Sequence, residues 1–292
     1  MKWPSLNSFA GLYGRVLGIN GRNIDYVYKY NPRRYFNVAD DKVKTKEYLV
    51  PAGIPVPKNY LVLSAMSEIN SAWERIVEID EFAIKPARGK AGGGILVAEK
   101  SESCWKTAAG RLLGADQLKK QMADIIFGVY SFGLWDRVLI EHRVHPHPFF
   151  TALYPHGVAD LRIITCKGKN IMAMARIPTS RSEGKGNLHQ GAIGLGIDIK
   201  TGVTGRGFDG KGYLLSHPDS GCCLEGLEVP FWQDIISISK AASRVVPLDY
   251  LGIDIVIDKT QGPLVMEINA RPGLEIQNVN AMGLKEIMKE VN

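Results

Sequence analysis

The sequence predicts an α+β protein, in which antiparallel β-hairpins and amphipathic helices occupy separate stretches of the chain. Residues 160–177 form a good hairpin candidate around the turn "KGKN", and residues 251–269 read as two short strands joined by "DKTQG". Helical periodicity marks the stretches "MSEINSAWERIVEI" and "VPFWQDIISISKAASRVV". These observations carry the fold-class prediction.

Composition sets broad limits on the kind of protein. The chain has 292 residues, enough for one large or two modest domains, with 45% hydrophobic and 23% charged residues. Its net charge of +6 indicates a preference for anionic ligands, but no basic run is clustered enough to argue for nucleic acid. We find no transmembrane segment and no convincing signal peptide in the sequence. The four cysteines form no metal-type CxxC pair, which predicts a reduced, cytoplasmic protein.

Residues 1–39 read as a basic amino-terminal arm. The arm is made basic by Arg15, Arg22, Lys29, Arg33 and Arg34. Two interpretations stay open for this arm. It is either a solvated extension packed on the main body or an element that helps to bind an anionic substrate.

A glycine-rich loop follows the first elements of the main body. Asp40 and Asp41 look like a helix start, and the two β-type runs "FAIKPA" and "GILVAE" flank the loop "RGKAGGG". Three consecutive glycines, Gly92, Gly93 and Gly94, let backbone N–H groups approach an anion closely. Lys85 ends the preceding strand, and Arg88 and Lys90 add charge within the loop. The loop is not a Walker sequence. Its glycines and cations nevertheless favour a phosphate-binding loop over a plain flexible hairpin.

The middle of the chain offers weaker signals. Residues 102–132 are mostly helical in pattern, and "DRVLIEHRV" is a buried strand that carries Glu141. A carboxylate at a strand end is common at an adenine-side hinge. The stretch "HPHPFFTALYPHG" holds three histidines at a spacing unsuited to a zinc site, and its prolines predict a loop.

The hairpin at 160–177 places Asp160 and Arg162 on one face by alternation. The two side chains either pair with each other or contact a nucleotide, with the acid on ribose hydroxyls and the guanidinium on a phosphate. Arg176 follows, and then a polar loop containing Arg181, Lys185, Asn187 and His189. The glycine and serine content of this loop would allow it to close over a ligand.

The hairpin at 251–269 gathers three oxygen ligands. Glu267 and Asn269 project from the same side of its second strand, and Asp254 lies on the partner strand. Two carboxylates and an amide oxygen suit Mg²⁺. This ion prefers oxygen ligands and usually leaves part of its coordination shell to phosphate oxygens. The alternative is a surface hairpin whose charged residues simply face water.

The ordered set of motifs resembles the ATP-grasp superfamily, and within it the RimK-related alpha-L-glutamate ligase-like proteins. The matching runs are "DDKVKTKEYLVPAGIPVPKNY", "FAIKPARGKAGGGILV", "ADLRIIT", "GKGNLHQGA", "GIDIVID" and "VMEINARPG". The resemblance implies two α+β subdomains that hold ATP between them, with a short amino-terminal arm in place of a full preceding domain. The expected segments are 1–39 (arm), 40–140 (with the glycine-rich loop) and 141–292 (with the metal site).

The resemblance also implies a role for each matching residue. Lys85 would hold the α- and β-phosphates, Gly92 to Gly94 would cover them, and Glu141 would form the adenine hinge. Asp160 would bind the ribose. The γ-phosphate or the substrate would face Arg162, Arg176 and Lys185, and Asn187 matches the asparagine of the family's "NLH" loop. Asp254, Glu267 and Asn269 would bind two Mg²⁺ ions, with Mn²⁺ as an alternative.

The implied activity is that of an ATP- and Mg²⁺-dependent carboxylate–amine ligase, which forms an amide through an acyl phosphate. The expected catalytic residues are Arg162, Arg271 and Lys185, with Arg271 placed to hold the substrate carboxylate or the acyl phosphate. Glutamate or another amino acid is the expected substrate, and a homo-oligomer stays open. Residues 142–159 and 196–227 look like insertions, and "HPDSG…LEGLEVPFW" resembles the sugar-transfer-associated ATP-grasp group. A kinase, an enzyme acting on a sugar or glycan precursor, and a non-catalytic nucleotide-binding module are therefore the alternatives.

Overall fold

The computed structural model describes residues 14–89 and 92–289. The described residues divide into two compact units, a larger one of residues 14–40, 44–56 and 145–289 and a smaller one of residues 41–43 and 57–144. Residues 44–56, which the sequence placed in the segment 40–140, group with the larger unit. None of the described helices has the length and apolar character needed to cross a bilayer.

The smaller unit is built on a six-stranded antiparallel sheet in the order β1-β6-β2-β3-β4-β5 within the described residues. Its strands are β1 Asn59–Leu63, β2 Glu81–Pro86, β3 Leu96–Ser101, β4 Cys104–Thr107, β5 Leu112–Leu113 and β6 Val138–Glu141. The helices Glu68–Ile76 and Ala115–Ile126 pack on this sheet through side chains such as Ile76 and Met122. The predicted strands around the glycine-rich loop and at 138–141 are confirmed.

The larger unit is built on a seven-stranded antiparallel sheet in the order β11-β10-β9-β8-β7-β12-β13, again within the described residues. Its strands are β7 Asp160–Cys166, β8 Lys169–Ile177, β9 Ile193–Ile197, β10 Thr204–Phe208, β11 Tyr213–Leu214, β12 Tyr250–Asp258 and β13 Gly262–Asn269. The helix Trp232–Val245 covers one face of this sheet over a core of aliphatic side chains such as Leu161 and Ile253. Both predicted hairpins are present.

The amino-terminal arm is folded over its described part, from residue 14 onward. Its helical segments are Ile19–Gly21, the π-helical Arg22–Val27, Tyr28–Tyr30, Arg33–Tyr35 and Phe36–Asp40. Leu17, Tyr26 and Val27 are buried in a core shared with Tyr250 of β12 and with the carboxy-terminal helices Glu275–Val279 and Leu284–Lys289. The arm is therefore packed on the main body, as the first interpretation of the sequence held.

Two local predictions were wrong. The stretch 102–132 was expected to be mostly helical, but β4 and β5 occupy its first part and the helix begins only at Ala115. The stretch "HPHPFFTALYPHG" was expected to be a loop, but Pro148–Leu153 is a helix. Proline is tolerated at the first helical position, where its missing N–H has no partner in any case. The ring of His147 caps this helix by accepting from the Phe149 N–H at 3.2 Å.

The helix Lys42–Leu49 begins as the sequence predicted. The Oδ1 atom of Asp41 accepts from the backbone N–H of Val43 at 3.1 Å, so a carboxylate caps the helix and complements its dipole. The turn that follows contains Gly53 at φ +70°, a left-handed conformation that suits glycine.

Candidate functional site

A row of charged residues crosses the central strands of the seven-stranded sheet. Asp254 on β12 lies opposite both Arg162 on β7 and Glu267 on β13, and Asp160 on β7 lies opposite Arg176 on β8. Residues opposite each other in an antiparallel pair project from the same face. The register therefore brings these five predicted site residues together.

The acids and arginines of this row form one hydrogen-bonded network. Arg162 Nε and Nη2 donate to the two carboxylate oxygens of Asp254 at 2.8 and 2.6 Å. Arg176 Nε and Nη2 donate to those of Asp160 at 2.5 and 2.6 Å, and Arg176 Nη2 also reaches Asp254 Oδ2 at 2.9 Å. Arg176 thus bridges two carboxylates. Asp160 and Arg162, which the sequence allowed to pair with each other, instead each bind a partner across the sheet.

Burial and neighbouring charges shift the pKa values of Asp254 and Asp160 in opposite directions. Burial alone would raise the pKa of Asp254, but the guanidinium groups of Arg162 and Arg176 outweigh it and leave that pKa below its usual value. Burial and the nearby charge of Asp254 raise the pKa of Asp160 to about 6, although Arg176 opposes this shift. Asp254 is therefore the member of the pair that holds its negative charge more strongly.

A β-bulge sets the position of the remaining predicted metal ligands. Glu267 pairs with Asp254 but Val265 pairs with Ile255, so Met266 is the extra residue of β13. Glu267 and Asn269 are both half-buried on the polar side, whereas Ile268 between them is buried. Asn269 Nδ2 donates to Asp254 Oδ2 at 3.2 Å.

The oxygen atoms of Asp254, Glu267 and Asn269 fit a metal ion that keeps much of its own hydration shell. Within residues 14–89 and 92–289, no group of three or more His, Cys, Asp or Glu side chains could hold a metal ion. Asp254, Glu267 and Asn269 supply two carboxylates and one amide, the hard oxygen donors that Mg²⁺ takes together with water and phosphate oxygens. Asp254 Oδ2 already accepts from Arg162, Arg176 and Asn269, whereas Oδ1 accepts from Arg162 alone among the residues that the structure describes. Oδ1 is therefore the Asp254 oxygen suited to a cation.

The polar loop after β8 holds its shape by its own hydrogen bonds. Asn187 Oδ1 accepts from the backbone N–H of His189 at 3.0 Å and caps the short helical turn Leu188–Gln190. Lys185 extends into solvent, with its ammonium 4.0 Å from Glu183. A Cβ at Gly186 would lie 3.4 Å from Asp160 Oδ2, so this loop packs directly against the charged row. The nucleotide roles predicted for Lys185 and Asn187 stay predictions.

The smaller unit contains a second buried charge cluster. Lys85 on β2 and Glu141 at the end of β6 project from the same face of neighbouring strands, and the ammonium donates to the carboxylate. Lys85 is only 7% exposed, and this is its single hydrogen bond within the part of the chain that the structure describes. An ammonium carries three N–H donors. Two donors of a nearly buried Lys85 are therefore available to a ligand.

The glycine-rich loop is fitted against a tyrosine. Gly94 has φ +74°, and a Cβ there would come within 2.6 Å of the Tyr130 ring. Gln121 Nε2 donates to the Gly94 carbonyl at 2.8 Å, and Tyr130 Oη donates to Gln121 at 3.2 Å. Glycine is therefore required at this position by conformation and by space. Lys90 lies outside the described residues.

Sequence reasoning missed a buried acid cluster at the base of this loop. Asp136 accepts from the backbone N–H of Arg88 at 3.0 and 3.2 Å, and Asp41 accepts from the side chains of Arg88 at 3.3 Å and Arg137 at 2.8 Å. Arg88 is thus held by carboxylates, and its charge is less available to a phosphate than the sequence suggested. Adjacent acid and arginine residues in "WDRV" were the only signal, and charged pairs of that kind are common.

Arg271 lies just beyond β13. Its guanidinium carbon sits 4.6 Å from the centre of the Phe36 ring, a cation–π contact that leaves the donors at its edge exposed. The predicted role of Arg271 in holding a carboxylate is compatible with this exposure and stays a prediction.

Residues 21–292 match the family described as sugar-transfer associated ATP-grasp. No curated protein sequence matches the chain significantly. Among solved structures, the chain is 14% identical to the D-cycloserine synthetase DcsG, with 89% of this chain and 72% of that one covered at a TM-score of 0.50. It is 14% identical to D-alanyl-alanine synthetase A from Vibrio cholerae O1 biovar eltor, with 87% and 63% covered at a TM-score of 0.51.

The chain is also 17% identical to the ATP-grasp ligase PsnB, with 90% of this chain and 62% of that one covered at a TM-score of 0.47. The chain thus spans less than two thirds of the length of PsnB and of the Vibrio protein. At these identities, DcsG and the Vibrio protein are evidence for the fold alone.

Proposed function

The chain belongs to the sugar-transfer associated ATP-grasp family, and we propose that it is an ATP- and Mg²⁺-dependent carboxylate–amine ligase. The predicted superfamily and α+β fold are confirmed by the family match and by the fold of DcsG. The closer likeness to RimK-related glutamate ligases stays a prediction. The observation that carries the proposal is the row of Arg162, Asp254 and Glu267 across three neighbouring strands.

In the proposed reaction, an oxygen of the substrate carboxylate attacks the γ-phosphorus of ATP, and ADP leaves. The resulting acyl phosphate is attacked at its carbonyl carbon by an amine, which loses a proton as phosphate departs and an amide forms. Phosphoryl transfer of this kind depends on positioning and on charge neutralisation. The chain supplies both through fixed cations and carboxylates.

Lys85 would bind phosphate oxygens of the nucleotide, because two of its three N–H donors have no partner in the described chain. Glu141 would hold the ammonium in place, and Gly92 to Gly94 would approach the phosphates with backbone N–H groups. Arg162 and Arg176 would neutralise charge on the transferred phosphoryl group, and Asp160 would bind the ribose hydroxyls. Arg271 would hold the carboxylate or acyl phosphate.

Asp254, Glu267 and Asn269 would hold Mg²⁺. A Mg²⁺ ion held by these residues would supply positive charge that offsets the negative charge of the phosphate groups. Because Asp254 Oδ2 is already saturated by donors, its share in that site would come through Oδ1 or through a shift of Arg176.

The test is ADP release in the presence of ATP, Mg²⁺ and a panel of amino acids and short acidic peptides, with product mass spectrometry. We expect amine-dependent ADP release in the wild type and its loss in Glu267→Gln, which removes one metal-binding charge. The exposed Glu228→Gln serves as a matched control and should keep activity. The ligase proposal fails if no carboxylate and amine pair yields an amide, and the metal assignment fails if Glu267→Gln is fully active.

The family description favours a second candidate, phosphoryl transfer to a hydroxyl of a sugar or glycan precursor. The same cations would serve it, since the first step differs only in the attacking oxygen. Product analysis separates the two, because a kinase leaves a stable phosphate ester and forms no amide. Binding of Mg·ATP without turnover of any substrate would instead favour a non-catalytic nucleotide-binding module.

A further inference from the structure

Arg22 differs from the other half-buried arginines of the described chain. Each of the others has a carboxylate partner, and they are Arg137, Arg143, Arg162 and Arg176. Arg22 instead donates from Nη1 to the carbonyl of Pro272 at 2.9 Å, and from Nε and Nη2 to Asn23 Oδ1 at 3.1 and 2.9 Å. Its positive charge therefore has no acid to neutralise it within the described residues.

A second arginine, Arg271, lies in the segment that Arg22 contacts. Arg271 precedes Pro272, whose carbonyl Arg22 binds, and stacks on Phe36 of the same arm. Burial and the charge of Arg271 lower the pKa of Arg22, with only Tyr250 and Tyr28 opposing them. Arg271 likewise has no carboxylate partner in the described chain. Two like charges held together without an acid are mutually unfavourable, and an anion between them would relieve that cost.

The pair lies next to the predicted metal row. Gly252 on β12 is opposite Asn269, and a Cβ on Gly252 would come within 2.6 Å of the Pro272 side chain. Pro272 therefore covers the β12–β13 pair at Asn269, and Arg22 is anchored to Pro272. Arg22 uses three of its five N–H donors on protein atoms, which leaves two for a ligand.

We propose that Arg22 and Arg271 form an anion subsite that binds a carboxylate or phosphate group of the acceptor substrate. This inference rests on the proposed ligase function and adds a residue of the amino-terminal arm to its substrate site. It also combines the two interpretations of the arm. The arm is packed on the main body, and through Arg22 it binds the anion as well.

The test compares four variants for binding of glutarate and of inorganic phosphate by isothermal titration calorimetry. Arg22→Gln and Arg271→Gln should each weaken binding about 10-fold or more, which is the usual effect of losing a charge-assisted hydrogen bond. Arg33→Gln is the matched control, since it removes the same charge from an exposed position of the same arm. Arg22→Lys keeps the charge without the forked donors and should give an intermediate loss, even if Arg22→Gln folds poorly.

The preferred probe identifies the group that the subsite takes. Tighter binding of glutarate indicates a carboxylate, and tighter binding of phosphate indicates a phosphoryl group. Equal binding by wild type, Arg22→Gln and Arg33→Gln would overturn the subsite, as would equal losses in Arg22→Gln and Arg33→Gln, because these would reflect net charge alone.

Binding of Mg·ATP and ADP release, measured on the same variants, separate this inference from the proposed function. The subsite predicts that Arg22→Gln raises the KM of the acceptor substrate and leaves Mg·ATP binding unchanged. Anion binding that depends on Arg22, without amide formation in any assay, would refute the ligase and keep the subsite. Amide formation with an unchanged acceptor KM in Arg22→Gln would refute the subsite and keep the ligase.

Discussion

Two of the buried charge clusters, the Lys85–Glu141 pair and the network around Asp254, are built differently. In the smaller unit, Lys85 has a single hydrogen bond within the described residues, to Glu141, and two N–H donors without a partner there. In the larger unit, Asp254 accepts from two arginines and an asparagine, and Arg176 is shared between two acids. A cation with open donors can take up a phosphate without first breaking a network. A network in which acids and arginines share several hydrogen bonds keeps its geometry when one partner is exchanged. This property suits a site that must hold a metal ion and a transferred phosphoryl group at fixed positions.

This difference predicts that removing one partner lowers the free energy of unfolding by different amounts in the two clusters. Asp254→Asn leaves the guanidinium groups of Arg162 and Arg176 partly buried with less negative charge, and an arginine cannot shed its proton. We expect this variant to lower the free energy of unfolding by about 4 kcal/mol, the scale of a broken buried ion pair. Urea unfolding at pH 7 measures it. The loss should persist at pH 5, since lowering the pH does nothing for an unpaired guanidinium.

Asp249→Asn is the control, because Asp249 is exposed at the start of the same strand region. It should change stability by no more than about 0.5 kcal/mol. An Asp254→Asn protein as stable as this control would show that the network contributes nothing to folding.

Lys85→Met tests the isolated pair. It removes the ammonium partner of the Glu141 carboxyl, and a carboxyl can take up a proton in place of that partner. We expect the free energy of unfolding to fall by about 3 kcal/mol at pH 7 and by less at pH 5. Affinity for Mg·ATP should also fall about 100-fold, since a charge-assisted contact to phosphate is lost.

Lys106→Met, an exposed substitution on the same sheet, should leave both the stability and the affinity unchanged. If Lys85→Met binds Mg·ATP as tightly as Lys106→Met, the open donors of Lys85 do not contact the nucleotide.

Alternation along strands predicted the residues of the charged row but not their partners. Period two correctly put Asp160 and Arg162 on one face. Residues directly across an antiparallel pair are closer than residues two apart on one strand, so Asp160 binds Arg176 and Arg162 binds Asp254. Strand order decides which residues lie across, and strand order comes from the packing of the whole sheet. A single stretch of sequence therefore could not give these pairs.

Local sequence was least informative where context outweighed propensity. The strands Cys104–Thr107 and Leu112–Leu113 are short, and β4 owes its place to pairing with β3. The packing of the arm likewise depends on distant contacts. Asn31 Nδ2 donates to the carbonyl of Tyr250 at 2.7 Å, and its Oδ1 accepts from the Tyr250 N–H at 2.9 Å, across 219 positions of sequence. No periodicity reports such a contact, so Arg22 gave no signal beyond its charge.

A third acid, Asp258, extends the comparison to a carboxylate that accepts from backbone N–H groups and a hydroxyl. It is buried at the end of β12 and accepts from His145 N at 2.8 Å, Thr260 N at 2.8 Å, Thr260 Oγ1 at 2.7 Å and Gln261 N at 3.0 Å. Burial opposes its ionisation, but these donors outweigh that effect and hold the pKa of Asp258 well below its usual range.

Asp258→Asn should therefore lower the free energy of unfolding by about 2 kcal/mol at pH 7, because the amide that replaces Oδ2 faces the His145 N–H donor. A depressed pKa stabilises the folded state above the unfolded-state pKa of about 4, and this contribution is lost as the pH falls toward the folded-state pKa. The difference in the free energy of unfolding between Asp258→Asn and the wild type should accordingly become smaller below about pH 4. Asp209→Asn is the matched control, because within residues 14–89 and 92–289 Asp209 accepts from two N–H donors of its own turn and otherwise lies 3.9 Å from Arg181. A gap for Asp258→Asn that is constant from pH 7 to pH 3 would mean that the charge of Asp258 plays no part, and that arginine partners alone determine which acids of this fold contribute to its stability.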